Sequence, residues 1–288
     1  MKTRILNIGI GLLAAILSAC VFSSCSKLRA GDTFTAISDG VEFQYEVIVS
    51  RMNFVRVIPL SPSLSGSVTI PSTVSYDGDN FVVSQIGKNA FRNCTAITSV
   101  TLPRTISIIE ESAFAGCTAL QTINTPQPLS EIGDYAFEGC SSLKAFSLEA
   151  SLSALGKGCF KGCSSLKIKT FPDSFSAIPD EAFYGCASLE EIILPSTIMK
   201  IGKDAFGGCV SVKEIYLDRS VQSIGSKAFA GCINVESMTC LTATPPQCSA
   251  DTFDGISDDI PVRVMESSVN NYINAPGWNK FKYYIGEY

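Results

Sequence analysis

The residues of this 288-residue chain best equipped for chemistry are its 12 cysteines and a few spaced carboxylates, because histidine is absent. Thiolates can act as nucleophiles, redox centres or soft-metal ligands. Paired carboxylates about 5–9.5 Å apart can hydrolyse a glycosidic bond. Without histidine, Ser-His-Asp and Cys-His nucleophilic sites fall away, and so do His-ligated zinc and haem. Lys and Arg number 22 against 27 Asp and Glu, a net charge of −5 that argues against a nucleic-acid partner. Seven of the cysteines (Cys94, Cys117, Cys140, Cys163, Cys186, Cys209 and Cys232) recur every 23 residues. That spacing gives no C-x-x-C pair and no tetrahedral four-ligand cluster, so neither a metal nor another cofactor is expected.

The cysteines belong to a larger pattern. Three residues before each stands a phenylalanine: Phe91, Phe114, Phe137, Phe160, Phe183, Phe206 and Phe229. All but Phe160, which follows Cys159, are preceded by alanine, and three residues after each cysteine comes an aliphatic residue, from Ile97 to Val235. In the copy that starts at Ala182, apolar Leu189, Ile192 and Leu194 predict a short strand with one face inward, ended by Pro195. Ile198 and Ile201 predict a second inward segment closed by Gly202, and Ala182–Cys186 a helical or 3-10 turn. A unit of 23 residues cannot bury such a face alone, so the seven copies must stack as a solenoid.

Ala113-Phe114-Ala-Gly116-Cys117-Thr-Ala-Leu120, with the later Leu-Pro and Ile-Gly, resembles the BspA-type leucine-rich repeat of bacterial surface proteins. The resemblance spans residues 66–250, including the half-repeat Ser67–Pro71, and reaches weakly into Thr244–Pro246 and Ala275–Trp278. It implies a right-handed leucine-rich repeat solenoid with a parallel strand ladder on one face. It also implies an exported, cell-surface or adhesive setting.

The flanks read as an export signal and two caps. Lys2 and Arg4 precede an apolar stretch from Ile5 to Leu17, too short to span a membrane and typical of a signal peptide within residues 1–25. Leu17-Ser18-Ala19-Cys20 and Phe22-Ser23-Ser24-Cys25 both resemble a lipobox, so Cys20 or Cys25 is the expected lipidation site of a bacterial, outer-membrane or cell-surface lipoprotein. The lipid would be the only contact with the membrane. Residues 31–65 alternate around Asp39-Gly40 and predict an N-terminal β cap. A second hairpin is expected at Tyr76–Asp79. Residues 251–288 predict a C-terminal cap with a strand at Ile260–Met265 and a helix from Ser267, capped by serine and interrupted at Pro276-Gly277.

Packing explains most of the unusual residues. The cysteine column is expected to be buried and reduced, because stacked side chains hold their Cβ atoms about 4.8 Å apart, wider than a disulfide prefers. Cys248 is the candidate exposed thiol, and Cys240 and Cys248 can pair in an oxidising compartment. The phenylalanines predict a stacked spine. Lys169 falls where other copies carry an inward aliphatic, which predicts a local bulge that turns Ile168 inward instead.

Function belongs to the outward strand positions. Ser99, Thr101, Thr122, Asn124, Ala145, Ser147, Thr170, Ser237 and Thr239 make a plain surface. Glu191, Ile193, Glu214 and Tyr216 stand out on adjacent copies and form the candidate binding patch for a protein, peptide or glycan. Glu191 and Glu214 can approach glycosidase spacing, but nothing in the sequence supplies a pocket to shift either pKa, so no catalytic residue and no enzyme activity are expected. The expected role is a binding or adhesion module. A structural surface scaffold without a discrete ligand is the alternative.

Overall fold

The computed structural model describes residues 27–58 and 63–287. The export signal, Cys20 and Cys25 lie outside the described residues.

The N-terminal cap is built on two tight turns. Strands Thr33–Ser38 and Val41–Val49 pair antiparallel across Asp39 and Gly40, whose φ values are 50° and 77°. Thr73–Tyr76 and Asp79–Ile86 do the same across Asp77 and Gly78, at 50° and 85°. Positive φ at both central residues is what a two-residue turn needs to match strand twist. A third strand, Phe54–Ile58, pairs antiparallel with Val41–Val49 and parallel with Asp79–Ile86, which carries the cap into the solenoid. Arg56 fastens this junction, bonding Glu46 through two nitrogens and Glu110 of the first repeat at 2.8 Å.

The repeats stack as rungs. Rungs 1, 2, 5 and 6 each place a strand of two to six residues in a first parallel ladder and a two-residue strand in a second, with the Ala-Phe turn closing the loop. The turn is no helix. Successive i to i−3 bonds, such as Ala115 N–H to Ser112 O and Cys117 N–H to Phe114 O, are broken up by two left-handed residues per rung. One stands two residues after the phenylalanine, Asn93 in the first rung and then glycine from Gly116 to Gly255. The other precedes the Ala-Phe pair (Asn89, Ser112, Tyr135, Gly158, Glu181, Asp204, Lys227), with φ between 53° and 58°. Left-handed backbone is costly for a residue with a Cβ. In six of the seven that amide reaches the next rung, as Tyr135 N–H does to Lys157 O at 2.7 Å, so the strained residue closes a bond between rungs.

Eight rings, not seven, form the spine. Phe253 continues the column from Phe229, and successive centroids lie 5.1–5.8 Å apart with ring planes within 4–11° of parallel. All eight phenylalanines are fully buried. The extra copy, Thr252-Phe253-Asp254-Gly255-Ile256, follows a step of 24 residues and carries isoleucine in place of cysteine.

Rung 4 is the seam. A bridge pairs Ala145 with Lys167, one residue short of the 23-residue register. The slip leaves Lys169 exposed and Ile168 packed against the core, as the sequence predicts. The first ladder is reduced there to isolated bridges and resumes as a sheet at Glu191–Leu194. The second stops after Ala154–Leu155 and resumes at Ala177–Ile178.

The C-terminal cap closes the two sides differently. On the ladder side, Pro261–Met265 and Tyr283–Glu287 extend the sheet in parallel register beyond Ser237–Cys240. On the spine side, Trp278 and Phe281 cover Phe253. The helix runs over Val269–Asn274 only. Its expected serine cap is absent: Ser268 stands at the N-cap in αR geometry with no side-chain bond, because a 3-10 turn over Glu266–Ser268 leads straight into it. Lys280 supplies the missing next rung. Its ammonium donates to Phe253 O at 2.8 Å and Ile256 O at 2.9 Å, acceptors that a following turn would otherwise engage. Lys280→Met is therefore expected to lower unfolding free energy by about 2 kcal/mol, because the Ile256 carbonyl is left unsatisfied away from water, at a cost of about 1–3 kcal/mol, while Phe253 O keeps its bond from Ile256 N–H. Urea titration followed by circular dichroism checks this, and a midpoint equal to wild type would remove the ammonium from the cap.

Candidate functional site

The thiols are placed for packing. All seven cysteines of the column are buried and unbridged. Six of them also donate. Each of Cys117, Cys140, Cys163, Cys186, Cys209 and Cys232 gives its S–H to the carbonyl of the phenylalanine in the preceding rung, at 3.0–3.3 Å. The spacing of 26 residues is one repeat plus the three that separate cysteine from phenylalanine. Cysteine thus fits the column as a small apolar residue that still satisfies a buried carbonyl. Burial pushes six of these thiols up, the Cys232 thiol to about 12, and a hydrogen bond with Cys163 followed by burial raises Cys140, so they are poor thiolates.

The bridge between Cys240 and Cys248 does not form. Both are free: Cys240 accepts from Tyr272 Oη at 3.1 Å, and Cys248 donates to Pro276 O at 3.3 Å. Cys248 is only half-buried, yet burial pushes its thiol up to about 11. The C-terminal helix and its loop give each sulfur a partner of its own. Among the described residues, no group of three or more His, Cys, Asp or Glu side chains is arranged to hold a metal ion.

The four candidate binding residues lie side by side. Strands Glu191–Leu194 and Glu214–Leu217 pair in parallel with Glu191 opposite Glu214 and Ile193 opposite Tyr216. Ile192, Leu194, Ile215 and Leu217 fill the core between them, which fixes the other two positions of each strand outward. Glu191 and Ile193 are exposed, Ile193 to 48%, whereas Glu214 and Tyr216 are half-buried. The face continues beyond the sequence-predicted patch. Tyr216 pairs with Thr239, Thr239 with Arg263, and Arg263 with Ile285, while Pro261 pairs with Tyr283. Ile285 and Tyr283 are exposed to 39% and 57%.

Thr239 departs from its expected surface role. It points outward but is buried, flanked in register by the long side chains of Tyr216 and Arg263. Arg263, Tyr283 and Ile285 escaped the sequence reading because no cysteine or Ala-Phe pair marks their strands. The signal was there: Val262 and Val264 repeat the alternation of Ile215 and Leu217.

Beside this face runs a column of opposite charges. Lys167 pairs with Glu190, and Lys213 with Glu236 at 3.0 Å. The Lys167 ammonium holds the Glu190 carboxyl below its usual range. Glu190, Lys213 and Glu236 line a shallow groove of about 570 Å³ with Ser211, Ile233, Asn234 and Val235. Neither Glu191 nor Glu214 enters it. The two carboxylates lie on a sheet face, Glu191 exposed and Glu214 half-buried, and among the described residues no walls rise beside them to hold a sugar ring or desolvate an acid.

A rung of about 23 residues, parallel ladders, little helix and an unbroken aromatic spine define a leucine-rich repeat solenoid. Residues 84–210 and 176–258 match the BspA type leucine-rich repeat region, in six copies, and the chain belongs to that family. A leucine-rich repeat protein from Bacteroides ovatus has a similar fold, with a TM-score of 0.56 and 22% identity over 79% of this chain and 70% of that one. The leucine-rich repeat protein of T. pallidum gives a TM-score of 0.52 at 26% identity, covering 75% of this chain and 88% of its own. No functionally curated protein is significantly similar in sequence.

Proposed function

We propose that the chain is a binding or adhesion module of the cell surface that recognises a protein, peptide or glycan through the outward face of its first ladder in rungs 5 to 8. One observation carries this reading. Among the described residues, the first ladder exposes no large apolar side chain on its outward face in rungs 1 to 4, and then carries Ile193 on rung 5 and Tyr283 and Ile285 on its last strand. Every rung has the same fold, so folding alone does not explain why the apolar surface collects at one end. Exposed apolar residues grouped on a rigid face are what a partner buries. The mechanism is passive: stacked rungs hold side chains at a spacing of about 4.8 Å, pre-organised before the partner arrives. The reading involves no catalytic step.

Glycan, peptide and protein arrays probed with the full chain test it. The double variant Ile193→Ser/Tyr216→Ser is expected to lose at least tenfold in affinity for whatever ligand the wild type retains. The matched variant Thr122→Ala/Asn124→Ala on rung 2 is expected to lose nothing. Equal, small losses from both would favour a scaffold surface with no discrete ligand. The basic start, the short apolar stretch and the two lipobox-like sequences support export and anchoring at Cys20 or Cys25. Incorporation of labelled palmitate that survives both Cys20→Ala and Cys25→Ala would remove that anchor.

A further inference from the structure

We infer that the partner presented to this face is an extended protein segment carrying Lys or Arg between apolar residues, with the cation seated on Glu191 and Glu214. The inference rests on the binding-face reading above and adds the chemistry of the occupant.

The argument starts from a broken rule. Like charges directly opposite on neighbouring strands destabilise a sheet. One column away the chain obeys that rule, alternating Lys167, Glu190, Lys213 and Glu236 in bonded pairs. In the column of Glu191 it does not: Glu191 and Glu214 are cross-strand partners with Cα atoms about 4.8 Å apart. Three of the basic groups nearby are already engaged. Lys167 bonds Glu190, Lys213 bonds Glu236 and Arg263 bonds Glu287 at 3.6 Å, while Lys169, exposed on rung 4, forms no ion pair with either carboxylate among the described residues. Neither Glu191 nor Glu214 has a basic partner among the described residues. A sequence that breaks a local rule without internal compensation does so where something outside supplies it.

The surroundings define the rest of the occupant. Ile193 and Tyr216 stand two residues further along the same strands, on the same side of the sheet. Tyr283 and Ile285 expose apolar surface at the far edge of that side. A cation aimed between the two carboxylates therefore brings its neighbouring residues onto apolar and aromatic surface. Extended protein segments offer that alternation of charged and apolar side chains.

Three fluorescein-labelled octapeptides test the inference, identical in their Val and Tyr residues and carrying Arg, Gln or Glu at the alternate positions. Anisotropy with the full chain is expected to show binding of the Arg peptide, with at least tenfold weaker binding of the other two. Glu191→Gln/Glu214→Gln is expected to weaken the Arg peptide about tenfold and leave the Gln peptide unchanged. Glu131→Gln/Glu149→Gln, which removes the same charge elsewhere, is expected to change neither. Equal binding of Arg and Gln peptides, or equal losses from the two double variants, overturns the inference. If Ile193→Ser/Tyr216→Ser still abolishes binding in that case, the face remains a binding face and only its cation preference falls. Failure of all three peptides to bind overturns the cationic segment, while the glycan and protein arrays decide the face separately.

Discussion

Phe160→Ala is expected to lower unfolding free energy by about 3–5 kcal/mol and to split one melting transition into two. The loss follows from what the ring touches. Phe160 is fully buried, with Phe137 and Phe183 stacked on either face at 5.4 and 5.6 Å and the Phe146 ring edge-on at 5.0 Å. Removing it leaves a cavity whose walls belong to three different rungs, so little can collapse inward. The split follows from where it lies. In a solenoid each rung is held only by its neighbours. At rungs 3 to 5 both strand ladders are interrupted, so continuity depends on the aromatic spine and on turn bonds such as Phe160 N–H to Ala182 O at 2.9 Å. Phe114→Ala serves as the comparison, since the first ladder pairs through its rung from Ser99 to Thr122 and the second from Ile109 to Ile132. That variant is expected to lose similar stability and still melt once. Calorimetry of both against wild type distinguishes the outcomes: no loss in Phe160→Ala removes the ring from the core, and a single transition denies that rung 4 is a seam.

The seam also shows what the sequence could and could not reveal. A constant step of 23 residues made the core columns legible, because every inward position repeats in the same environment. Lys169 was legible for the same reason: a charge in an apolar column forces either burial or a slip, and burial costs more. The eighth ring was lost to a step of 24 and to isoleucine where cysteine was expected. The left-handed column before each Ala-Phe pair was invisible, since Asn, Ser, Tyr, Gly, Glu, Asp and Lys occupy it in turn. Its constraint is a bond between main chains, which selects no side chain. The thiol-to-carbonyl bonds were hidden differently. Cysteine's burial can be read from its column, but the carbonyl it satisfies lies 26 residues back. In the candidate site the alternation of Glu191 to Leu194 placed its residues outward without a structure. Thr239 followed the same alternation but is covered by side chains from two other strands, which alternation cannot count.

Trp278→Ala is expected to cost about 3–5 kcal/mol and to unravel the solenoid from its C-terminal end. Every rung but the last has another rung to bury its turn, and Trp278 stands where the next phenylalanine would. Its ring lies 4.9 Å from Phe253 and meets Tyr272 edge-on at 5.0 Å, and its Nε1 donates to Pro246 O at 2.9 Å. Tyr284 Oη donates in turn to Trp278 O at 2.7 Å, which ties the final strand to the same residue. Without the indole, Phe253 keeps only Phe281 as cover and the strands Pro261–Met265 and Tyr283–Glu287 lose support. Limited proteolysis is then expected to cut first within residues 251–288 and to leave the earlier rungs intact. Trp278→Phe separates the two roles of the side chain: it keeps a ring over Phe253 but orphans the Pro246 carbonyl, an expected loss of about 1 kcal/mol. Because Trp278 is the single tryptophan of the chain, its own emission reports the cap in the wild type. If the cap is the weak end, emission changes before the circular dichroism signal as urea rises. Coincident transitions would mean that cap and solenoid unfold as one unit. Wild-type stability in Trp278→Ala would mean that the last rung closes without a lid.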